Sequence, residues 1–193
     1  MRFAVAWFTI CIFAVSAFAA EPPRLSIPEG WRTEDTVYPP PWAKSLPWKG
    51  RLQLRFPPGF FKQGDDYFWS YPIFYWLEGD VLSSAEDLKT ALRTYDAGLY
   101  RNKDAAAAIK IEITAEKKQP GSQGVLLRSV KFSGFDPFVT KKPQTTYLKV
   151  SRWYCESADR TGVLILRSPR SFQKDDAVWK SLLVFRQVVG CPD

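Results

Sequence analysis

The chain has 193 residues, which is long enough for one domain with an apolar core but not comfortably for two. It contains no histidine, so it lacks the commonest general base and metal ligand, which excludes Ser–His nucleophilic catalysis and histidine-ligated zinc. The formal net charge of +7 favours contacts with anionic surfaces such as acidic polysaccharides or lipid headgroups, although an ordinary basic surface would carry the same charge. Since no run of five like charges occurs, no nucleic-acid partner is expected.

Residues 1–20 have the pattern of a secretory signal peptide. Arg2 supplies the positive start, an apolar run follows, and small residues precede the expected cleavage after Ala19 or Ala20. A membrane anchor is the alternative, but the small residues and Glu21 end the apolar run before the roughly 20 residues that a span requires. We therefore expect export to the periplasm or beyond, with no transmembrane anchor after cleavage.

Residues 21–49 form a segment rich in proline and tryptophan. Proline removes backbone donors and biases its predecessor towards extended conformations, so this segment is predicted to be irregular or polyproline-like. Disordered linkers are usually poor in aromatic residues, whereas residues 21–49 contain several. We therefore interpret it as an extended arm laid across the domain, with its rings in surface grooves.

Residues 50–193 are predicted to form a single α+β domain. Alternating apolar and polar residues predict a half-buried strand over 50–56. Residues 67–77 are apolar on both sides, which is typical of a strand covered on both faces, and Pro72 within it indicates a bulge or a sheet-edge position.

Residues 84–100 have the clearest helical pattern. Ser84, with Asp87 three residues later, resembles a capping box, and one apolar stripe follows at helical spacing. Near the end of this helix, Asp96 and Arg93 are predicted to face solvent.

The remaining chain predicts two hairpins and a second helix. The helix begins after Asp175 or Asp176, includes Val189 and ends at Gly190. The resulting order is β-β-α-β-β-β-β-α, and its hairpin connections indicate a mainly antiparallel sheet with two packed helices. The four predicted strands cover residues 109–115, 125–132, 147–155 and 161–167.

Two cysteines remain once the signal peptide is set aside, Cys155 and Cys191. An even pair in an oxidising compartment predicts a disulfide, with two buried free thiols as the alternative. The bridge would join a late strand to the end of the C-terminal helix. It would close a loop of about 36 residues, for which the chain-entropy model gives roughly 4 kcal/mol of stabilisation.

The aromatic strand is the main candidate for ligand binding. In a strand, alternate residues share a face, so four rings are expected on one side. If that face is open, it forms a platform for sugar rings or for a peptide; otherwise the rings are ordinary core residues. The possible ligand platform consists of Tyr67, Trp69, Tyr71 and Tyr75.

Acidic pairs at the two ends of the same strand are the candidate for catalysis. Asp65 and Asp66 precede the strand, whereas Glu78 and Asp80 follow it. Two carboxylates across a sugar-binding groove are the arrangement of glycosidases, but acids at strand ends are commonly just solvated turn residues. The sequence contains no metal-ligand spacing and no phosphate-binding glycine loop, so no cofactor is expected.

Several segments resemble a family of exported bacterial proteins of unknown function. They are residues 57–61 (PPGFF), 67–77 (YFWSYPIFYWL), the helical residues 87–99 and residues 153–155 (WYC), together with Trp179 and Cys191. The resemblance covers most of the chain outside the signal peptide and implies export in Gram-negative bacteria. It implies no activity, cofactor or catalytic residue.

These features favour a non-catalytic binding or accessory domain of the cell envelope, with an anionic envelope component or polysaccharide as its partner. A carboxylate-dependent enzyme acting on glycans is one alternative. A structural subunit of an envelope complex is the other, and it would require an exposed apolar patch.

Overall fold

A computed structural model describes residues 23–119, 124–187 and 190–192. The predicted signal peptide at 1–20, residues 120–123 between the predicted strands 109–115 and 125–132, and the predicted helix residue Val189 lie outside the described residues.

In these ranges, seven antiparallel strands form one sheet in the order β1-β2-β3-β7-β6-β5-β4. The strands are β1 (Arg32–Tyr38), β2 (Gly50–Phe56), β3 (Tyr71–Glu78), β4 (Lys110–Lys118), β5 (Leu126–Phe135), β6 (Pro143–Cys155) and β7 (Arg160–Ser168). The helices are α1 (Ala85–Leu99), the short α2 (Lys103–Ala107) and α3 (Ala177–Leu183), which continues as a 3-10 turn over Val184–Gln187. The predicted fold class and the predicted order of strands and helices are confirmed.

The arm contributes one more strand than the sequence predicts. Residues 29–38 contain no proline, so this stretch keeps its backbone donors, and β1 within it pairs with β2 along its whole length. The prediction that the arm is irregular is therefore wrong for β1. Further on, the arm lies against α1, where Trp42 contacts Gly98 so closely that a Cβ on this glycine would be 1.9 Å from the Trp42 carbonyl oxygen.

The aromatic strand begins later than predicted. Residues 67–70 form a turn, in which the backbone N–H of Ser70 donates to the carbonyl of Tyr67 at 2.9 Å and Trp69 has a φ of 53°. Pro72 is not at a bulge, since its pairing with Leu166 of β7 is in register, but at this residue the otherwise interior β3 has a partner on the β7 side alone, as at a sheet edge. The ladder to β2 ends at Ile73, so the missing donor of Pro72 falls just beyond it.

Apolar residues cover both faces of the sheet centre. On one face, which we call the α1 face, Tyr75 and Leu77 of β3 share a cluster with Leu88 and Leu92 of α1. On the other, the α3 face, Phe74 and Trp76 of β3 share a second cluster with residues of α3. The predicted two-sided burial of the aromatic strand is therefore confirmed.

Both predicted helix starts are observed. The hydroxyl of Ser84 accepts a hydrogen bond from the backbone N–H of Asp87 at 3.0 Å, and Asp176 caps α3 by accepting from the N–H of Trp179 at 3.1 Å. Each cap satisfies a donor that the first helical turn leaves free.

Asp96 does not face solvent as predicted. Its side chain is 1% exposed and accepts two hydrogen bonds from Nη1 of Arg167, at 2.8 and 3.0 Å. Burial raises the pKa of Asp96, and the charge of Arg167 opposes that rise. The sequence could not reveal this ion pair, because its two members lie on α1 and β7. Arg93, by contrast, is exposed, and its guanidinium donates to the carbonyl of Ile109.

Replacing Asp96 with asparagine should lower the free energy of unfolding by about 3–5 kcal/mol, because the buried charge of Arg167 loses its partner. Urea denaturation measures this difference. The matched control is Glu86→Gln in the exposed Glu86–Lys89 pair, which should change stability by less than about 0.5 kcal/mol. Equal effects of the two substitutions would contradict the assigned role of Asp96.

The predicted disulfide joins Cys155, at the end of β6, to Cys191, which follows the α3 segment. The two residues are 36 positions apart along the chain. The bridge therefore ties the C-terminal segment to the sheet.

Reduction of the disulfide should lower the unfolding free energy by about 2–4 kcal/mol, because the unfolded chain regains the entropy of a long loop. Denaturation with and without dithiothreitol measures the loss. The double variant Cys155→Ser, Cys191→Ser should be unaffected by the reductant. A wild-type protein equally indifferent to dithiothreitol would show that the bridge contributes nothing to stability.

Candidate functional site

The four rings of the predicted ligand platform do not form an open face. Trp69, Tyr71 and Tyr75 are 1%, 3% and 0% exposed. Tyr67 lies apart from them and contacts Trp31 edge-to-face at 6.1 Å between ring centroids. The alternation fails at Tyr67 because residues 67–70 turn instead of continuing the strand. In the structure these rings pack in the core, although Trp69 and Tyr71 also line a small pocket that is described below.

The four candidate carboxylates do not meet in one cleft. Asp66 pairs with Arg170 at 3.3 Å, and Asp80 pairs with Arg152. The two acidic pairs flank β3, whose eight residues span about 25 Å. Glycosidases place their two carboxyl groups about 5–10 Å apart, so acids from opposite ends of β3 do not provide this geometry.

A different set of side chains does form a cleft, on the α3 face of the outer strands. The cleft has a volume of about 270 Å³, with β4, β5 and β6 as its floor and residues around α3 as its wall. We call it the basic cleft. Its functional side chains are Lys117, Ser129, Lys149, Ser151, Phe172 and Arg186.

Strand register places the floor residues side by side. Lys149 lies opposite Ser129 in the pairing of β5 with β6, and Ser151 lies opposite Leu127. Residues directly opposite each other in an antiparallel pair have their side chains on the same face. Two hydroxyl groups and one ammonium group therefore share the floor of the basic cleft.

A β-bulge brings the outermost strand into the cleft. The register of β4 against β5 shifts between Ile113 and Ala115. Because one extra residue reverses which face a side chain occupies, Lys117 beyond the bulge lies on the cleft side, opposite Leu127. The same shift puts Glu116 on the other face, where it pairs with Arg128 at 2.6 Å.

Lys149 and Arg186 are the two positive charges of the site that are half-buried. The Lys149 ammonium donates to Oγ of Ser129 at 2.8 Å and lies 3.9 Å from the ring centroid of Phe172. Burial lowers the pKa of Lys149, and the positive charge of Arg186 lowers it further. Burial also lowers the pKa of Arg186. Within the described part of the chain, neither side chain forms a salt bridge with a carboxylate.

This arrangement is suited to binding an anion. Two like charges that are half-buried without a counter-ion destabilise each other, and an anionic group between them removes that cost. The hydroxyls of Ser129 and Ser151 add hydrogen-bonding capacity, and the 41% exposed ring of Phe172 provides an apolar wall. Sequence reasoning missed this site. The alternation of apolar and polar residues along β6 shows that Lys149 lies on the opposite face from Leu148 and Val150, but it does not show which side chains surround Lys149.

Comparisons with known protein families, with curated proteins and with solved structures find no match for this chain. Among the described residues, no three acidic or cysteine side chains are grouped so that they could hold a metal ion. In the same ranges, no helix is both long and apolar enough to cross a membrane. The role of the basic cleft is therefore inferred from its own chemistry.

Replacing Arg186 with glutamine should leave the unfolding free energy unchanged or raise it by about 0.5–1 kcal/mol, because binding sites keep charges that the folded state alone does not favour. Denaturant unfolding in ligand-free buffer is the measurement. The control is Arg128→Gln, which breaks the pair with Glu116 and hydrogen bonds to two carbonyls, and should cost about 1–3 kcal/mol. A comparable loss from Arg186→Gln would make Arg186 a structural residue.

Proposed function

We propose that this protein is exported to the cell envelope and acts there as a non-catalytic binding protein for an anionic component, which it holds in the basic cleft. The observation that carries this proposal is the pair Lys149 and Arg186, two half-buried cations that face one cleft and have no carboxylate partner among the described residues.

The size and lining of the cleft favour an acidic sugar unit as the bound group. A volume of about 270 Å³ is near the lower end of the range for small-ligand sites, so one ring with its charged substituent fits better than a longer segment. Phe172, which is 41% exposed, offers apolar surface for the C–H groups of such a ring, while Lys149 and Arg186 meet its carboxylate or phosphate.

Export is supported by two features of the chain. Residues 1–20 have the charge, apolar run and small-residue ending of a secretory signal. The disulfide between Cys155 and Cys191 is of the kind that persists in oxidising compartments such as the bacterial periplasm.

Calorimetric titration with polygalacturonate tests the proposal directly. We expect saturable binding that weakens at high salt, since the contact is largely electrostatic, and no binding to the fully methyl-esterified polymer, which has the same backbone without the charge. Lys149→Gln and Arg186→Gln should each weaken binding by about tenfold, as expected for loss of one charge-assisted contact. Lys44→Gln, an exposed lysine outside the cleft, is the control.

Three outcomes would contradict this function. Equal binding of the charged and esterified polymers would remove the role of the anion. Binding that survives Lys149→Gln and Arg186→Gln together would place the ligand elsewhere. The appearance of new reducing ends in polygalacturonate would indicate a glycan-active enzyme. A parallel titration with phosphatidylglycerol vesicles shows whether the cleft binds a lipid headgroup rather than a sugar.

A further inference from the structure

A second depression lies on the α1 face, on the opposite side of the sheet from the basic cleft. It consists of two adjoining pockets, of about 140 and 490 Å³, that share Leu99 and Phe138 in their walls. We call it the Phe138 groove. Phe61, Leu99 and Phe138 form its centre, and Arg32, Arg101 and Lys141 lie along its margins.

The centre of the groove is apolar and unusually exposed. Phe61 and Phe138 are 46% and 47% exposed, and their ring centroids lie 6.0 Å apart in an edge-to-face arrangement. Phe138 also stacks on the buried Trp69 at 5.9 Å. Beneath these rings, the smaller pocket is large enough for one apolar side chain, and Trp69 and Tyr71 line it. Exposed aromatic rings beside an aromatic pocket are typical of protein interaction sites.

Hydrogen bonds hold Phe138 in position. The carboxylate of Asp136 accepts from the backbone N–H groups of Phe138 at 2.9 Å, Val139 at 3.0 Å and Thr140 at 2.6 Å, and from the Thr140 hydroxyl at 2.8 Å. Burial acts to raise the pKa of Asp136, but these bonds outweigh it and lower the pKa below its usual value. The loop is thus ordered before any partner arrives, which reduces the entropy cost of binding.

The charges around the groove are mostly positive. In the described ranges, none of Arg32, Arg101 and Lys141 forms a salt bridge with a carboxylate. Glu34 is the single acidic residue that lines either pocket. The guanidinium of Arg32 lies 5.9 Å from the ring centroid of Phe61, so positive charge borders the apolar centre directly.

We propose that the Phe138 groove binds an acidic segment of a partner protein, which inserts one aromatic or large aliphatic side chain into the pocket under Phe61 and Phe138. The three cations at the margins of the groove select aspartates or glutamates that flank the inserted residue. The aromatic pocket selects the inserted residue itself. This inference does not depend on the function proposed for the basic cleft, because the two sites use different residues on opposite faces of the sheet.

Fluorescence anisotropy with a labelled pentapeptide tests this proposal. The peptide has phenylalanine at its centre and two aspartates on each side. We expect a saturable rise in anisotropy with the full-length protein, and binding at least about tenfold weaker when the central residue is alanine or the aspartates are replaced by lysines. Phe138→Ser and Arg101→Glu should each weaken binding by about tenfold. Since Arg101 is exposed, the second variant tests the groove even if the first disturbs the fold.

Two controls make the test specific. Val37→Ser removes an exposed apolar side chain outside the groove and should leave peptide binding unchanged. Lys149→Gln should also leave it unchanged, because the basic cleft is separate. The proposal is overturned by the absence of binding, by equal binding of the alanine peptide, or by a loss confined to Lys149→Gln. Displacement of the peptide by polygalacturonate in the Lys149→Gln protein would assign the groove to a polysaccharide instead.

Discussion

The structure depends on the burial of both faces of its central strands. β3 carries large apolar side chains in both directions, with Tyr75 towards the α1 face and Trp76 towards the α3 face. A sheet whose centre is apolar on both sides needs cover on both sides, and burial of such rings is the largest favourable term in folding. The later part of the arm and α1 provide one cover. The other consists of α3, the disulfide-tethered C-terminal segment, and Leu25 and Trp31 from the start of the arm.

Both candidate sites lie where this cover ends. The basic cleft lies between the outer strands β4–β6 and the wall around α3, so Lys149 remains half-buried rather than enclosed. The Phe138 groove lies beside the end of α1, where Arg32, Glu34 and Trp42 of the arm line its smaller pocket and Phe61 and Phe138 remain about half exposed. Each site thus has a floor fixed by the sheet and one side open to a ligand, which is the usual arrangement of a preformed binding site.

Charge pairing separates the structural residues from the candidate functional ones. Arg167 and Arg128 are buried cations, and each has a carboxylate partner and further hydrogen bonds. Lys149 and Arg186 are half-buried, but in the described chain they lack such a partner. A protein that needed these two charges only for stability would gain by losing one, which is why we propose that they serve binding.

The sequence by itself determined the fold class, the order of the elements apart from β1 and the short α2, the helix caps at Ser84 and Asp176, and the pairing of Cys155 with Cys191. All of these follow from local patterns or from the small number of cysteines. Tertiary structure alone decided that Asp96 is buried and that Lys149 and Arg186 share a cleft. Such contacts join residues that are far apart in the chain, and they depend on strand register and on packing. A one-residue bulge in β4 is enough to change that register.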